Sequence, residues 1–361
     1  MKMKRSAALG GLVALSASLL VACGDAPDND DSPKANDDFL PCMLSDEGGF
    51  DDKSFNQVSH EGFMKAVEEL GSESKSIESN SAVDYAPNLE NMAAEGCDPI
   101  ISVGFNLAGD TVKAANANPD NHFMLIDSDG DLDADGKVDA ENLKPVTFNS
   151  AQASFLAGYA AADYSKTGKV GTYGGAPIPS VTIFMDGFVQ GVEFYNEEKN
   201  KDVKVVGWDR EKETGSFTGS FNPDAKATNT ARQVLGEDVD VIFPVGGPIY
   251  QGAVTVINEE KLDATIIGVD SDLAQTDKKI APMVLVSVLK DLGSVTEGAV
   301  MDVSEGSFDT TPYLGTLENG GVSLSPFHDF ESKIRPDLQD ELDAISDAIK
   351  SGDQKVESYL D

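Results

Sequence analysis

Histidine, cysteine and tryptophan are scarce: three, three and one in 361 residues. His60, His122 and His328 lie far apart in the chain, which disfavours a histidine-built metal centre or catalytic triad. There is no Gly-x-x-x-x-Gly-Lys-Ser/Thr phosphate loop, no Gly-x-Gly-x-x-Gly dinucleotide turn, no His-Glu-x-x-His zinc pair and no Gly-x-Ser-x-Gly elbow. Carboxylates could carry acid–base chemistry, but among 63 of them composition singles out no pair. Binding is therefore favoured over catalysis. Basic side chains are also few, 27 against those 63 acids, for a formal charge of −36. So negative a chain is a poor partner for nucleic acid phosphates and for flat docking on an anionic lipid surface.

What is present begins at the N-terminus. Lys2, Lys4 and Arg5 precede an apolar small-residue stretch from Ala7 to Ala22, then Leu20-Val21-Ala22-Cys23-Gly24. This order predicts a signal peptide over 1–22, and the run is shorter than the roughly 20 residues of a membrane span. The Leu-Val-Ala-Cys string resembles the lipobox of bacterial lipoproteins. It implies cleavage before Cys23, lipidation of that thiol and a place on the extracytoplasmic face of a cell membrane, held by the lipid. The competing reading is a secreted protein cut nearby. Residues 23–38 are acidic, carry proline and lack large apolar groups, the composition of a disordered tether.

With Cys23 assigned to lipid, Cys42 and Cys97 remain. In an exported protein they read equally as a disulfide or as two separate buried thiols. Asp131-Leu132-Asp133-Ala134-Asp135-Gly136 has the spacing of a calcium loop. Its twelfth position is Asn142 rather than a bidentate glutamate, so a solvated acidic loop is the preferred reading and no metal is assigned.

The mature length suits two domains of ordinary size. Short apolar runs at 40–45, 99–105, 122–127, 169–175, 203–208, 239–247, 265–270 and 283–289 alternate with helix-length amphipathic stretches. Examples of the latter are 55–70, 151–164, 184–195, 223–235 and 249–260. The alternation predicts βαβ units and parallel sheets, whose ligands bind beyond the carboxyl ends of the strands. Polar and glycine residues collect at those ends, for example Ser45-Asp46, Gly104-Phe105-Asn106, Asp127, Gly246-Gly247 and Asp270-Ser271-Asp272. They predict two sheets facing a shared cleft. Phe188, Val192 and Tyr195 form a core stripe, with Gly187 and Gly191 letting their helix approach a sheet. The segment 336–350 reads as a final packing helix.

Specific strings then carry a resemblance. The segment from Asp46 to Gln57, Asp-Glu-Gly-Gly-Phe-Asp-Asp-Lys-Ser-Phe-Asn-Gln, resembles the opening signature of the basic membrane protein family, nucleoside-binding lipoproteins of ABC importers. The likeness continues through 153–161, 166–175, 187–192, 219–226, 267–272 and 287–290. It implies an α/β protein of the type I periplasmic-binding fold, with two lobes joined by a three-segment hinge and ligand closed between them. The N-terminal lobe would comprise 39–148 and 291–312, the C-terminal lobe 149–290 and 313–361.

By position, Phe55 and Phe221 match an aromatic pair that sandwiches a base, although either alone reads as a core phenylalanine. Asp46 matches a carboxylate at the base edge, beside Asn56. Asp270 matches a ribose-hydroxyl acceptor, preferred over Asp272, and Lys290 its neighbour. Gly246 and Gly247 would let backbone amides approach the sugar, whereas Pro248 removes one amide donor. Asn106 and Asp127 complete the cleft candidates. The resemblance implies a purine nucleoside ligand, a membrane permease as partner and no cofactor. The rival readings are a receptor for another small polar ligand such as a sugar, with a sensory role, and an extracellular carboxylate-dependent hydrolase.

Overall fold

The computed structural model describes residues 39–360; the leader 1–22, the tether 23–38 and Cys23 lie outside them. The chain opens with β1 (Cys42–Ser45), α1 (Phe55–Leu70), β2 (Lys75–Glu78), α2 (Tyr85–Ala94) and β3 (Ile100–Val103). It continues through α3 (Ala108–Ala117), β4 (Phe123–Ile126), β5 (Leu143–Phe148), α4 (Ser150–Tyr164), β6 (Lys169–Gly174) and α5 (Pro179–Lys199). Next come β7 (Lys204–Val206), a small hairpin of β8 (Trp208–Asp209) and β9 (Thr214–Gly215), α6 (Ala225–Leu235), β10 (Val241–Val245) and α7 (Tyr250–Glu260). The last third holds β11 (Thr265–Asp270), α8 (Leu273–Thr276), β12 (Val284–Lys290), α9 (Leu292–Ser304), β13 (Tyr313–Gly315), β14 (Val322–Leu324) and α10 (Leu338–Ser351).

These elements build two six-stranded sheets, ordered β2-β1-β3-β4-β5-β13 and β7-β6-β10-β11-β12-β14. Every neighbouring pair is parallel except β12–β14. The central strands are mostly apolar, as burial on both faces favours: β3, β4 and β11 are buried at every residue. The chain crosses between sheets after β5, after β12 and between β13 and β14. At the crossings the Asn149 amide donates to the Gly315 carbonyl at 2.8 Å and the Asp291 amide to Gly321 at 2.9 Å. Because Tyr313–Gly315 pairs with β5, the first lobe extends three residues past the boundary expected at 312.

Two expectations are refined. Gly187 and Gly191 bring α5 against a helix, not a sheet. A Cβ at Gly187 would stand 2.3 Å from the Ala151 carbonyl oxygen, and one at Gly191 1.9 Å from that of Phe155, both on α4. The open question over the thiols is settled by a Cys42–Cys97 disulfide, which ties β1 to the turn before β3 with a Cα separation of 5.6 Å. Among the described residues no helix is long and apolar enough to cross a membrane.

Candidate functional site

The carboxyl ends of both sheets border one cavity of about 530 Å³, part of it open to solvent.

The first-lobe wall is built around the turn from β1 into α1. Asp46 follows β1 directly, and its carboxylate sits against a glycine: a Cβ on Gly104 would lie 2.1 Å from Asp46 Oδ2. Gly104 also has φ of 122°, so it suits that position twice over. Ser54 occupies the N-cap of α1 without capping it. Asp52 serves instead, accepting from the amides of Ser54, Asn56 and Gln57 at 2.9–3.0 Å. Burial pushes the Asp52 carboxyl upward despite those bonds. Burial likewise holds Asp46 well above the ordinary carboxylate range; Asn56 opposes this through a side-chain hydrogen bond, and Asp127, Asp52 and Glu47 add to it. Asn56 is 3% exposed, and its Oδ1 has no hydrogen-bond partner among the described residues.

The second-lobe wall is more apolar. The Phe221 ring lies over two bare α-carbons, since a Cβ at Gly175 would approach it to 2.5 Å and one at Gly246 to 3.0 Å. Ile178, Val181, Phe184, Val245 and Val269 also line this side. Gly246 and Gly247 have φ of 147° and 56°, a turn that glycine adopts without penalty.

At the floor the lobes meet through charge. Lys290, at the end of β12, places Nζ 2.8 and 2.7 Å from the two oxygens of Asp127, which follows β4 of the other lobe. Asp270 stands 3.5 Å from the same ammonium. The three side chains are 2%, 11% and 7% exposed. Rings of Phe55, Phe148 and Phe184 lie 5.0–5.5 Å from the ammonium, close enough for cation–π attraction. Burial works against the Lys290 ammonium, but Asp127 and Asp270 outweigh it and hold its pKa above the ordinary lysine value. Burial pushes both carboxyls up while Lys290 pulls them down; Asp270 is pushed up to about 6. Asp270 Oδ1 is the oxygen 3.5 Å from the ammonium, and beyond that long contact it has no hydrogen-bond partner among the described residues. A desolvated oxygen without a donor is costly, so both this atom and Asn56 Oδ1 suit a ligand that brings donors.

Of the residues singled out from sequence, Asp46, Phe55, Asn56, Asp127, Phe221, Gly246, Gly247, Asp270 and Lys290 all line the cavity. Asn106 does not. The turn Phe105–Leu107 sends Phe105 into the lining and leaves Asn106 exposed. Asp272 is also outside, 2.8 Å from His328 Nε2. Sequence reasoning passed over Asp52, Phe105 and Phe184 as lining residues. Phe184 is buried at 1% exposure and still lines the cavity. Asp131, Asp133 and Asp139 do cluster in the acidic loop, away from this lining.

The chain is similar to known proteins along nearly its whole length. It is 29% identical over 360 residues to the ABC transporter nucleoside-binding protein BmpA of Lactococcus lactis, covering 93% of this chain and 97% of that one. It is 33% identical over 248 residues to basic membrane protein A of Borreliella burgdorferi, covering 68% and 67%. Among solved structures, an ABC transporter solute-binding protein from Aeropyrum pernix superposes with a TM-score of 0.79 at 24% identity, over 90% of this chain and 94% of that one, which establishes the shared fold. The family model described as ABC transporter substrate-binding protein PnrA-like matches residues 39–355, and the chain belongs to that family, the basic membrane proteins, whose members are solute-binding proteins of ABC transporters.

Proposed function

We propose that this protein is a lipid-anchored extracytoplasmic receptor that captures purine nucleosides and delivers them to an ABC permease. The observation that carries the reading is the composition of the cavity: an aromatic ring from each lobe, Phe55 and Phe221, above a buried Asp127–Lys290–Asp270 group. A flat base gains roughly 1–3 kcal/mol by stacking on an aromatic face. A ribose offers hydroxyl donors, and Asp270 Oδ1 is a buried acceptor in want of one. Asp46 and Asn56 supply polar groups where the edge of a stacked base would point. The nucleoside carries no phosphate, so the strongly negative chain does not repel it. The name of the Lactococcus relative, a nucleoside-binding protein, supports the same reading.

Capture follows from the architecture. The ligand enters between open lobes, rests on the first-lobe residues and is enclosed as the second lobe swings in. Lipid on Cys23 and the tether 23–38 would keep the receptor near its permease and raise its local concentration there. Calorimetry of the purified chain with guanosine, inosine, adenosine and ribose tests the ligand. Heat with nucleosides and no release of free base is expected. Heat with ribose alone would move the reading to a sugar receptor, and free base in the eluate would move it to a hydrolase. Mass spectrometry of the membrane-extracted protein tests the anchor, which predicts a diacylglyceryl adduct on Cys23.

A further inference from the structure

The turn that carries the first-lobe ligand residues also reaches the second lobe directly, through hydrogen bonds at the edge of the cavity. Lys53 adopts φ of 61°, uncommon for a side chain of its size. Its carbonyl accepts from two second-lobe hydroxyls at once, Ser271 Oγ at 2.7 Å and Thr276 Oγ1 at 2.9 Å. The next residue contributes in the opposite direction, with Ser54 Oγ donating to the Val269 carbonyl at 2.7 Å. Ser54 is free to do so because Asp52 has taken over the capping of α1. Ser54 and Ser271 are 2% and 4% exposed.

From this arrangement we infer that Ser54, Ser271 and Thr276 form an interlobe clasp, a set of positioning residues that hold the cleft shut and set how long a bound ligand stays. The inference deepens the reading of the cavity as a ligand site and rests on it only for the choice of probe. The clasp can form only when the β1–α1 turn and the β11–α8 turn are in contact. Opening surrenders its three hydrogen bonds together, and water then solvates the same groups. The cost of opening falls on a bound ligand that leaves, and also on the empty cleft when it opens to admit one. Ser54 is joined directly to Phe55 and Lys53 to Ser54, so a stacked ligand that steadies Phe55 steadies the clasp as well.

The test uses the full chain with Ser271→Ala and Thr276→Val combined, and separately Ser54→Ala. Stopped-flow measurement with guanosine should show dissociation faster by about 10- to 100-fold in the double variant, which loses two hydrogen bonds, and by about 3- to 10-fold in Ser54→Ala, which loses one. Amide hydrogen exchange without ligand gives a second readout. In the Ser271→Ala/Thr276→Val chain, protection should fall in the first-lobe segment 52–57 as well as in 268–276. Loosening confined to 268–276, with segment 52–57 and the dissociation rate unchanged, would overturn the clasp and leave the hydroxyls a local role. If guanosine fails to bind the parent but exchange still rises in both segments, the clasp stands and the nucleoside reading falls.

Discussion

The two walls of the cavity are made of different chemistry. Among the described residues, the first lobe contributes Asp46, Glu47, Asp52, Asn56 and Asp127 beside the rings of Phe55 and Phe105, and no cation; the second contributes Phe184, Phe221, several aliphatic groups and two glycines, with Ser180, Asp270 and Lys290 as its polar members. The polar wall is rigidly wired: Asp52 fixes the α1 turn through three amides and the Cys42–Cys97 bond anchors β1 behind it. The apolar wall is shaped by close backbone packing, with Gly175 and Gly246 seating Phe221. The division teaches that one lobe is arranged to read polar groups while the other covers and desolvates them. Charge ties the walls together, because the carboxylate nearest the Lys290 ammonium is Asp127 of the opposite lobe.

Replacing that cation breaks the comparison most severely. Lys290→Met leaves Asp127 and Asp270 buried without a counter-charge, a change that costs about 3–5 kcal/mol. Thermal unfolding at pH 7 should show a lower midpoint and calorimetry should show no nucleoside binding. At pH 5, where the orphaned carboxyls take up protons, much of the midpoint should return while binding stays lost. A second experiment separates the walls. Reducing the Cys42–Cys97 bond releases a loop of 55-residue separation, worth about 4 kcal/mol in the chain-entropy model. Denaturant unfolding with and without reductant should show that loss. Hydrogen exchange at a denaturant concentration below the midpoint should place the first loosening in the first sheet. The aromatic pair comes next. Phe55→Ala and Phe221→Ala should each weaken guanosine binding by about 1–3 kcal/mol. Equal losses would mean both walls hold the base, and a loss confined to Phe221 would make the second lobe the only stacking face.

How far the fold could be read from sequence depended on the period of the apolar groups. The helix expected at 55–70 is α1 to the residue, and the run at 265–270 is β11, because both are long and cleanly patterned. β5 went unread: Leu143–Phe148 carries Lys144 and Pro145 inside a six-residue strand. α9 was missed for a similar reason, since Gly293 and Gly298 interrupt its helix propensity; Gly62 of α1 lies so near that a Cβ there would meet the Gly293 carbonyl oxygen at 2.1 Å. At the cavity, residues at strand ends were legible because topology sends such ends to a shared edge. Asp52 was not, because a carboxylate capping a helix and one lining a cleft give the same local signal. Asn106 failed by one position, on a turn whose direction the sequence does not specify. The clasp was invisible, as pairing the Lys53 carbonyl with Ser271 and Thr276 requires both lobes in place.

The smallest expected effect concerns protons on the second wall, where stability and ligand affinity should run in opposite directions. Burial raises the Asp270 carboxyl to about 6 in the folded protein, against an ordinary value near 3.9 when unfolded. The folded chain therefore binds this proton more tightly than the unfolded chain. Its contribution to stability is fully present below about pH 4 and is lost as pH rises through about 6. Ligand affinity should run the other way, since a ribose hydroxyl donates to the ionised carboxylate. At pH 5 only about a tenth of Asp270 is ionised, and guanosine should bind roughly tenfold more weakly than at pH 7, about 1.4 kcal/mol. Asp270→Asn separates this group from the other raised carboxyls, Asp46, Asp52 and Asp127. The variant should lose part of the stability slope between pH 4 and 6 and flatten the affinity profile over the same range. If the slope persists unchanged in Asp270→Asn, the titration belongs to the first-lobe carboxylates, and the polar wall, not the Lys290 group, sets the response of binding to acid.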